Sequence, residues 1–239
     1  MKFVGVIPSR YHSTRFPGKP LAPINGKPLV QHVYEQVMKS RKLDTVIVAT
    51  DHQDIQDVVE QFGGKVVMTS QSHETGSDRM AEVTTKVDGD FFVNIQGDEP
   101  LIRSELIDQL IDKAKDTPHA VITAKTRIKS EKDLQSLNVV KVVTDKEGRA
   151  LYFSRSPIPY NRAKKKINYY KHLGIYCYPK LILQEFVKWS PTPYEQVEVL
   201  EQLRMLENGV PVIVVESEYD AIGVDTPEDI EKVEKYLNS

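Results

Sequence analysis

The chain has a single cysteine, Cys177, among its 239 residues. One thiol excludes an internal disulfide, and it excludes zinc and iron–sulfur sites built from several cysteines. Because Cys177 lies among Ile175, Tyr176 and Tyr178, the sequence predicts a thiol packed in the core. An excess of either charge is also lacking, since 32 basic and 34 acidic residues leave a net charge of -2. This balance argues against a dedicated nucleic-acid-binding protein.

Long apolar runs and repeats are absent as well. No run approaches the roughly 20 residues that span a bilayer, and the first residues follow a strand pattern, not that of a signal peptide. We therefore expect a soluble, cytoplasmic protein without membrane partners. The lack of low-complexity segments and of a fixed-period repeat excludes solenoids and propellers.

Apolar runs of strand length alternate with helix-period stretches in the first half of the chain. We predict strands at 3–7, 45–50, 65–69, 91–95 and 120–124, and helices near 28–40, 54–62, 78–87 and 105–116. This alternation indicates an α/β fold with a doubly wound, mostly parallel sheet.

The pattern changes in the second half. Two β-rich runs, 139–144 and 150–154, flank an Asp-Lys-Glu-Gly turn and predict a hairpin. Residues 156–167, with prolines and a lysine run, predict an exposed irregular excursion. We expect one domain over 1–239 with an inserted, hairpin-bearing subregion at about 129–190. The remaining predicted elements are a strand at 172–178, an amphipathic helix at 194–208, a strand at 210–215 and a last helix with Thr226 as N-cap and Pro227 at its first position.

A loop with several positive charges follows the first predicted strand. It contains Arg10, Arg15 and Lys19, separated by small and hydroxyl residues whose backbone N–H groups are free to approach phosphate oxygens. The strand would deliver these charges to the C-terminal edge of the sheet, where α/β proteins bind polyanions. The loop lacks the Walker A and dinucleotide-binding spacings. We interpret it as a triphosphate cradle, and a solvated basic surface loop is the alternative.

Two aspartates are candidate metal ligands. Asp98 follows the apolar run 91–95, and Asp225 precedes the last helix. Carboxylates beside bound phosphates are the usual ligands of Mg²⁺, and two of them from separate strand ends would supply a site for nucleotidyl transfer. Each also has a simpler explanation, because Asp is common in turns and is stabilised at helix N-termini.

Several other polar residues are candidate ligand contacts, although none of them indicates a function by itself. The segment 73–79 predicts a polar turn that enters a helix, which is typical of a helix start and also able to contact a ligand. Arg155 and Arg162 suit bidentate recognition of a carboxylate. His172 has no second His or Cys at ligand spacing, which argues against a zinc site.

With these motifs assembled, the chain resembles the 3-deoxy-D-manno-octulosonate (Kdo) cytidylyltransferases almost from end to end. The resemblance implies a nucleotidyltransferase-like fold, a homodimer, and Mg²⁺-dependent transfer of CMP from CTP to the anomeric hydroxyl of Kdo with release of pyrophosphate. Ser9 stands where the family usually has Ala, and residues 75–77 are Thr-Gly-Ser where Ser-Gly-Thr is usual. The segments that carry the resemblance are 7–10, 16–20, 48–51, 73–79, 94–100, 151–155, 172–176, 200–204 and 223–227.

The resemblance also implies roles for individual residues. Arg10 and Lys19 match the triphosphate contacts, Asp98 and Asp225 match the metal ligands, and together these four form the catalytic set. The segment associated with cytosine recognition contains Ser77 and Arg79. The positions that match the sugar site are Gln96, Arg155, Arg162, His172, Tyr176, Glu201 and Gln202.

Two alternatives stay open at this point. The first is the same transfer to an 8-amino Kdo analogue or to another acid sugar, although the sugar-site motifs disfavour sialic acid. The second is a catalytically silent nucleotide-binding module, against which the pairing of Asp98 and Asp225 with Arg10 and Lys19 argues.

Overall fold

The structure, a computed structural model, describes residues 1–12, 16–73, 75–220 and 222–238. Strands and helices alternate along most of the chain. The strands are β1 (Phe3–Ser9), β2 (Pro23–Ile24), β3 (Lys27–Pro28), β4 (Thr45–Thr50), β5 (Val66–Met68), β6 (Phe91–Asn94), β7 (Val121–Arg127), β8 (Lys141–Thr144), β9 (Ala150–Ser154), β10 (Tyr170–Pro179) and β11 (Val212–Glu216). The helices are α1 (Leu29–Val37), α2 (Gln53–Gln61), α3 (Gly76–Lys86), α4 (Ser104–Asp116), α5 (Glu131–Gln135), α6 (Lys180–Phe186), α7 (Pro193–Glu198), α8 (Gln202–Glu207) and α9 (Pro227–Leu237), and a 3-10 helix spans Lys19–Leu21.

Within the described residues, nine strands form one sheet. Its order is β11-β7-β10-β6-β1-β4-β5, and the hairpin β8–β9 joins it through β10. Neighbouring strands from β6 to β5 are parallel, as are β7 and β11, whereas β10 is antiparallel to β6 and β7. The predicted mostly parallel sheet is confirmed, with β10 as its antiparallel member.

Helices cover both faces of this sheet. Successive residues of β1 point to opposite faces, so that Phe3 and Ile7 join one apolar cluster while Val4 and Val6 join the other. The first cluster includes side chains of α1, α2 and α4, and the second includes side chains of α3, α6 and α8. Cys177 is buried in the first cluster, as predicted. The doubly wound α/β fold is therefore confirmed.

The predicted single helix over 194–208 is wrong. The chain forms α7 and α8 instead, and between them Val199 adopts a left-handed conformation with φ 52°. The Arg155 guanidinium donates to the carbonyl oxygens of Glu198 at 2.7 Å and Val199 at 3.1 Å. Because these carbonyls are bound by a side chain from β9's end, they do not continue the helical hydrogen bonding.

Several other local expectations are met in the second half. The predicted hairpin forms, with β9 at its predicted bounds and β8 beginning at Lys141, two residues later than predicted. Thr226 caps α9, and Pro227 is at its first position. The short helix α5 was not predicted, because five residues are too few for a helical pattern. Whether 129–190 is an insert in a single domain stays a prediction. None of the helices in the described ranges has the length and apolarity needed to cross a membrane.

Candidate active site

The ends of β1 and β6 meet at a cavity of about 240 Å³. Gly97, which follows β6, packs so closely on β1 that an added Cβ would lie 2.6 Å from the Pro8 carbonyl oxygen. Glycine is therefore required where the two strand ends approach. The lining residues are Pro8, Ser9, Arg10, Lys19, Pro20, His73, Thr75, Gly76, Arg79, Gln96, Gly97, Asp98 and Asp225.

Lys19 lies between the two predicted metal ligands. Its Nζ donates to Asp98 Oδ2 at 2.6 Å and to the Val224 carbonyl oxygen at 2.9 Å, and lies 4.0 Å from Asp225 Oδ1. The 3-10 helix that presents Lys19 begins after Gly18, whose left-handed backbone turns the loop. One cation is thus shared by two carboxylates from distant parts of the chain.

The acidic groups here are few. No cluster of three or more His, Cys, Asp or Glu side chains that could hold a metal occurs in the described part of the chain. Burial and the neighbouring Asp98 raise the pKa of Glu99 to about 8, so this carboxyl is largely protonated at neutral pH. The charge available to a cation is therefore that of Asp98 and Asp225, which suits an ion that takes its other ligands from phosphate and water.

The predicted cradle is described only in part. Arg10 is exposed and lines the cavity, and Ser9 is buried beside it. Arg15, with Ser13 and Thr14, lies outside the described residues. Arg10 and Lys19 thus form the described cationic side of the cavity, together with Arg79, whose charge is paired with Asp51.

Arg79 forms a buried wall of the same cavity. Its guanidinium donates to Asp51 Oδ2 at 2.7 Å and to the Thr69 hydroxyl, and the side chain is 3% exposed. Helix α3 starts one turn earlier, where Thr75 and Asp78 form a capping box. Two donors of Arg79 are therefore already engaged by the protein, so that the ion pair with Asp51 fixes the start of α3 against β4.

A second cavity, of about 190 Å³, adjoins the first and shares Pro8, Gly76 and Gln96 with it. Gln96 Nε2 donates to the Gly174 carbonyl oxygen at 2.7 Å, at the irregularity in β10 between Leu173 and Tyr176. The other lining residues are Ser77, Asn94, Tyr176, Tyr178, Phe186, Glu201 and Gln202.

The second cavity differs from the first in its electrostatics. Burial raises the pKa values of Tyr176 and Tyr178 well above the ordinary range, so both hydroxyls remain protonated donors. Burial also raises the pKa of Glu201, although a hydrogen bond from Ser77 Oγ at 3.0 Å opposes the shift. Neutral donors and acceptors dominate here, whereas the first cavity carries cations and carboxylates.

Comparison with known proteins agrees with this arrangement. The family described as cytidylyltransferase matches residues 4–219. The 3-deoxy-manno-octulosonate cytidylyltransferase of Geobacter metallireducens is 51% identical, covering 100% of this chain and 98% of that protein. The enzyme of that name from Thermodesulfovibrio yellowstonii is 50% identical over 100% of this chain and 99% of its own. The chain belongs to this family of cytidylyltransferases.

Solved structures extend the likeness to the fold. A CMP:2-keto-3-deoxy-manno-octonic acid synthetase complexed with CTP is 43% identical, covers 100% of this chain and 99% of its own, and gives a TM-score of 0.96. A cytidylyltransferase from Leptospira borgpetersenii, 18% identical over 100% of this chain and 87% of its own, gives a TM-score of 0.66 and shares the fold.

Not every position that matches the family's sugar site lines the second cavity. Gln96, Tyr176, Glu201 and Gln202 do. The Arg155 guanidinium instead donates to the carbonyl oxygens of Leu137, Glu198 and Val199, and Arg162 is exposed in the excursion. These two arginines line neither cavity, so their contacts with a sugar carboxylate stay predictions.

His172 also lies outside both cavities of this cytidylyltransferase. Burial lowers its pKa to about 3, so the imidazole is neutral. Its Nε2 lies 2.9 Å from the Thr123 hydroxyl, which in turn donates to the Ile175 carbonyl oxygen at 2.8 Å. Since that hydroxyl has one proton, His172 Nε2 carries the hydrogen. The ring packs 5.3 Å from that of Tyr176 and supports it from behind.

No individual role is predicted from the sequence for several lining residues, among them His73, Asn94 and Tyr178. His73 precedes α3 and Tyr178 lies on β10, so neither stands out by pattern. Asn94 does carry a signal, because it is a polar residue inside a buried apolar run.

Proposed function

We propose that this chain transfers CMP from CTP to the anomeric hydroxyl of Kdo and releases pyrophosphate. The observation that carries the proposal is the pair of adjoining cavities that share Gln96, one lined by cations and carboxylates and the other mainly by neutral donors and acceptors. Full-length relatives named for this reaction support it, as does the similar structure whose title includes CTP.

The charged cavity suits the nucleotide. Arg10 and Lys19 can neutralise a triphosphate, and Arg79 at the start of α3 would border the base. Ser77 lines the second cavity, so its proposed contact with the base would be made across the shared wall at Gly76. The neutral cavity suits a polyol, because tyrosine hydroxyls, glutamines and Glu201 offer both donors and acceptors.

Mg²⁺ would be held by Asp98 and Asp225. The fit is indicated by Lys19, whose ammonium these carboxylates already share at 2.6 Å and 4.0 Å. When bound, the ion supplies positive charge beside the reacting phosphate. Phosphate oxygens then give Lys19 an alternative partner to Asp98.

The protein's own groups act mainly by position and charge. The anomeric hydroxyl oxygen of the sugar attacks the α-phosphorus of CTP and gives up its proton to water, the bond from that phosphorus to the bridging oxygen breaks, and pyrophosphate leaves. Arg10 and Lys19 neutralise the charge that develops on the leaving group. No covalent enzyme intermediate is required. We place the reaction in the cytoplasm, where CTP is made.

We further propose a homodimer formed through the β8–β9 hairpin and α7. Large apolar side chains are exposed on this face, including Leu151 at 61% and Val197 at 83%. The Tyr152 and Tyr194 rings pack edge to face at 6.0 Å, which joins the hairpin to α7 in one surface. An apolar patch of this kind is typical of a protein–protein interface. Sedimentation equilibrium tests the proposal, because a homodimer has twice the mass of one chain.

Pyrophosphate release with CTP and a panel of acid sugars tests the activity. We expect the highest kcat/KM with Kdo. Glu201 favours the 8-amino analogue as a second candidate, since a carboxylate could pair with its ammonium, but burial disfavours the charged carboxylate. A higher kcat/KM with the amino sugar than with Kdo would make the amino sugar the assigned acceptor. If no acid sugar leads to release of pyrophosphate, the chain would be a catalytically silent nucleotide-binding module.

A further inference from the structure

Asn94 carries an acceptor without a donor. Its Oδ1 is buried, and no group in the described ranges donates a hydrogen bond to it. The residue is 7% exposed and ends β6, in the middle of the sheet. Buried side-chain oxygens nearly always have a partner, because leaving one unpaired destabilises the folded protein.

The surroundings of Asn94 do not explain an amide there. It pairs in register with Val6 of β1 and Tyr176 of β10. The residues Val4, Val6 and Phe92 on the same face belong to an apolar cluster. An aliphatic side chain would suit this environment better than an amide, so a structural role gives no reason for Asn94.

The second cavity supplies the reason. Asn94 lines it, and two neighbouring acceptors there already have donors from the protein. Glu201 Oε2 accepts from Ser77 at 3.0 Å, and the Gly174 carbonyl oxygen accepts from Gln96 at 2.7 Å. Asn94 Oδ1 is buried and has no such donor among the described residues, so a bound ligand is the group left to supply one.

We propose that Asn94 is a specificity-determining residue that accepts a hydrogen bond from one hydroxyl of the bound sugar. The inference rests on the proposed function, because it takes the second cavity as the acceptor site. A carbonyl oxygen only accepts, so it selects a sugar that has an O–H at this point over one with a C–H. A site built around a buried acceptor discriminates strongly against the analogue that lacks the donor.

The test compares Kdo with analogues that each lack one hydroxyl. In the wild-type enzyme, the analogue without the hydroxyl that faces Asn94 should lose roughly 10- to 100-fold in kcat/KM. In Asn94→Leu, the kcat/KM for Kdo should fall by a similar factor. The kcat/KM of this variant for that analogue should be little lower than its kcat/KM for Kdo. The KM for CTP should stay within about twofold of the wild-type value, since the change lies on the sugar side.

Thermal melting without substrate separates this role from a structural one. Because no described residue donates to Asn94 Oδ1, Asn94→Leu should melt at the wild-type temperature or above it. Thr126→Val, at a buried position on β7 that lines neither cavity, is the matched control and should leave the sugar panel unchanged. If Asn94→Leu fails to fold, Asn94→Ala, which adds no volume, is measured in the same way.

The outcomes can be told apart. Wild-type efficiency of the folded variant with Kdo, or an equal loss with every analogue, overturns the role of Asn94. A wild-type enzyme that releases no pyrophosphate in the presence of Kdo overturns the proposed function itself.

Discussion

At the residue scale, Lys19 joins the segment after β1 to both carboxylates that are proposed to hold Mg²⁺. Its ammonium contacts Asp98 directly and lies within 4.0 Å of Asp225. In the absence of substrate it balances two carboxylates that would otherwise repel each other. Removing one carboxylate should therefore leave the fold intact while it removes half of the charge available to a divalent cation.

We expect Asp98→Asn and Asp225→Asn each to lower kcat by about 10³-fold or more, since both carboxylates act on the reacting phosphate through the ion they would hold. Pyrophosphate release at saturating Mg²⁺ is the measurement. Thermal melting controls for folding, and Asp116→Asn, at the end of α4, is a matched substitution outside the site. Near-normal rates in either site variant would exclude the two-carboxylate arrangement.

His172 should make the protein sensitive to acid. Its pKa is about 3 in the folded protein and near 6.5 when unfolded, so between these values the unfolded chain binds a proton that the folded one does not. The contribution of neutral His172 to the free energy of unfolding is complete above pH 6.5. It is lost as the pH falls, by up to ~1.4 kcal/mol per pH unit. Melting temperatures of His172→Gln should fall less steeply than those of the wild type over this window. Parallel curves would contradict a neutral buried imidazole.

The sequence predicted the charged residues of the site better than the neutral ones. Arg10, Lys19 and Asp98 follow strand ends, and topology alone brings such positions to one edge. The environment of Arg155 could not be read in this way, because its partners are carbonyl oxygens exposed only by the break at Val199. The sequence shows Asn94 as a polar residue inside an apolar run, but it does not show whether the buried amide has a hydrogen-bond donor.

At the scale of elements, the break between α7 and α8 aims Glu201 and Gln202 at the second cavity. Val199 is β-branched and left-handed, a conformation that its neighbours have to enforce. Arg155 supplies that constraint through the carbonyl oxygens of Glu198 and Val199, while a third bond, to the Leu137 carbonyl oxygen, holds the guanidinium in place. The helical pattern over 194–208 does not show the break, since a left-handed conformation is unfavourable for valine and is not predicted from residue preferences.

Arg155→Ala should therefore raise the KM for Kdo by about 10-fold or more while it alters the KM for CTP much less. The reason is that the start of α8 loses its anchor, and Glu201 moves relative to Ser77. Arg155→Lys should not restore the sugar KM, because an ammonium cannot reproduce the forked contacts. Arg149→Ala, on the same hairpin, serves as control. Equal effects on both substrates would contradict this role.

At the scale of the molecule, the sheet gathers residues that are far apart in the chain. Lys19 and Val224 are 205 residues apart yet share a hydrogen bond. The alternation of strands and helices predicted this parallel half, because it follows from local periodicity. The antiparallel insertion of β10 between β6 and β7 did not follow from it, since local periodicity does not specify which strands become neighbours.

The wall shared by the two cavities has a kinetic consequence. Pro8, Gly76 and Gln96 line both cavities, so a nucleotide in the first and a sugar in the second would lie side by side. Both reactants must then occupy the protein together, and initial-velocity lines should intersect. Labelled pyrophosphate should not exchange into CTP until the sugar is added. Exchange without sugar would show that CMP first transfers to the protein, and a ping-pong order would follow.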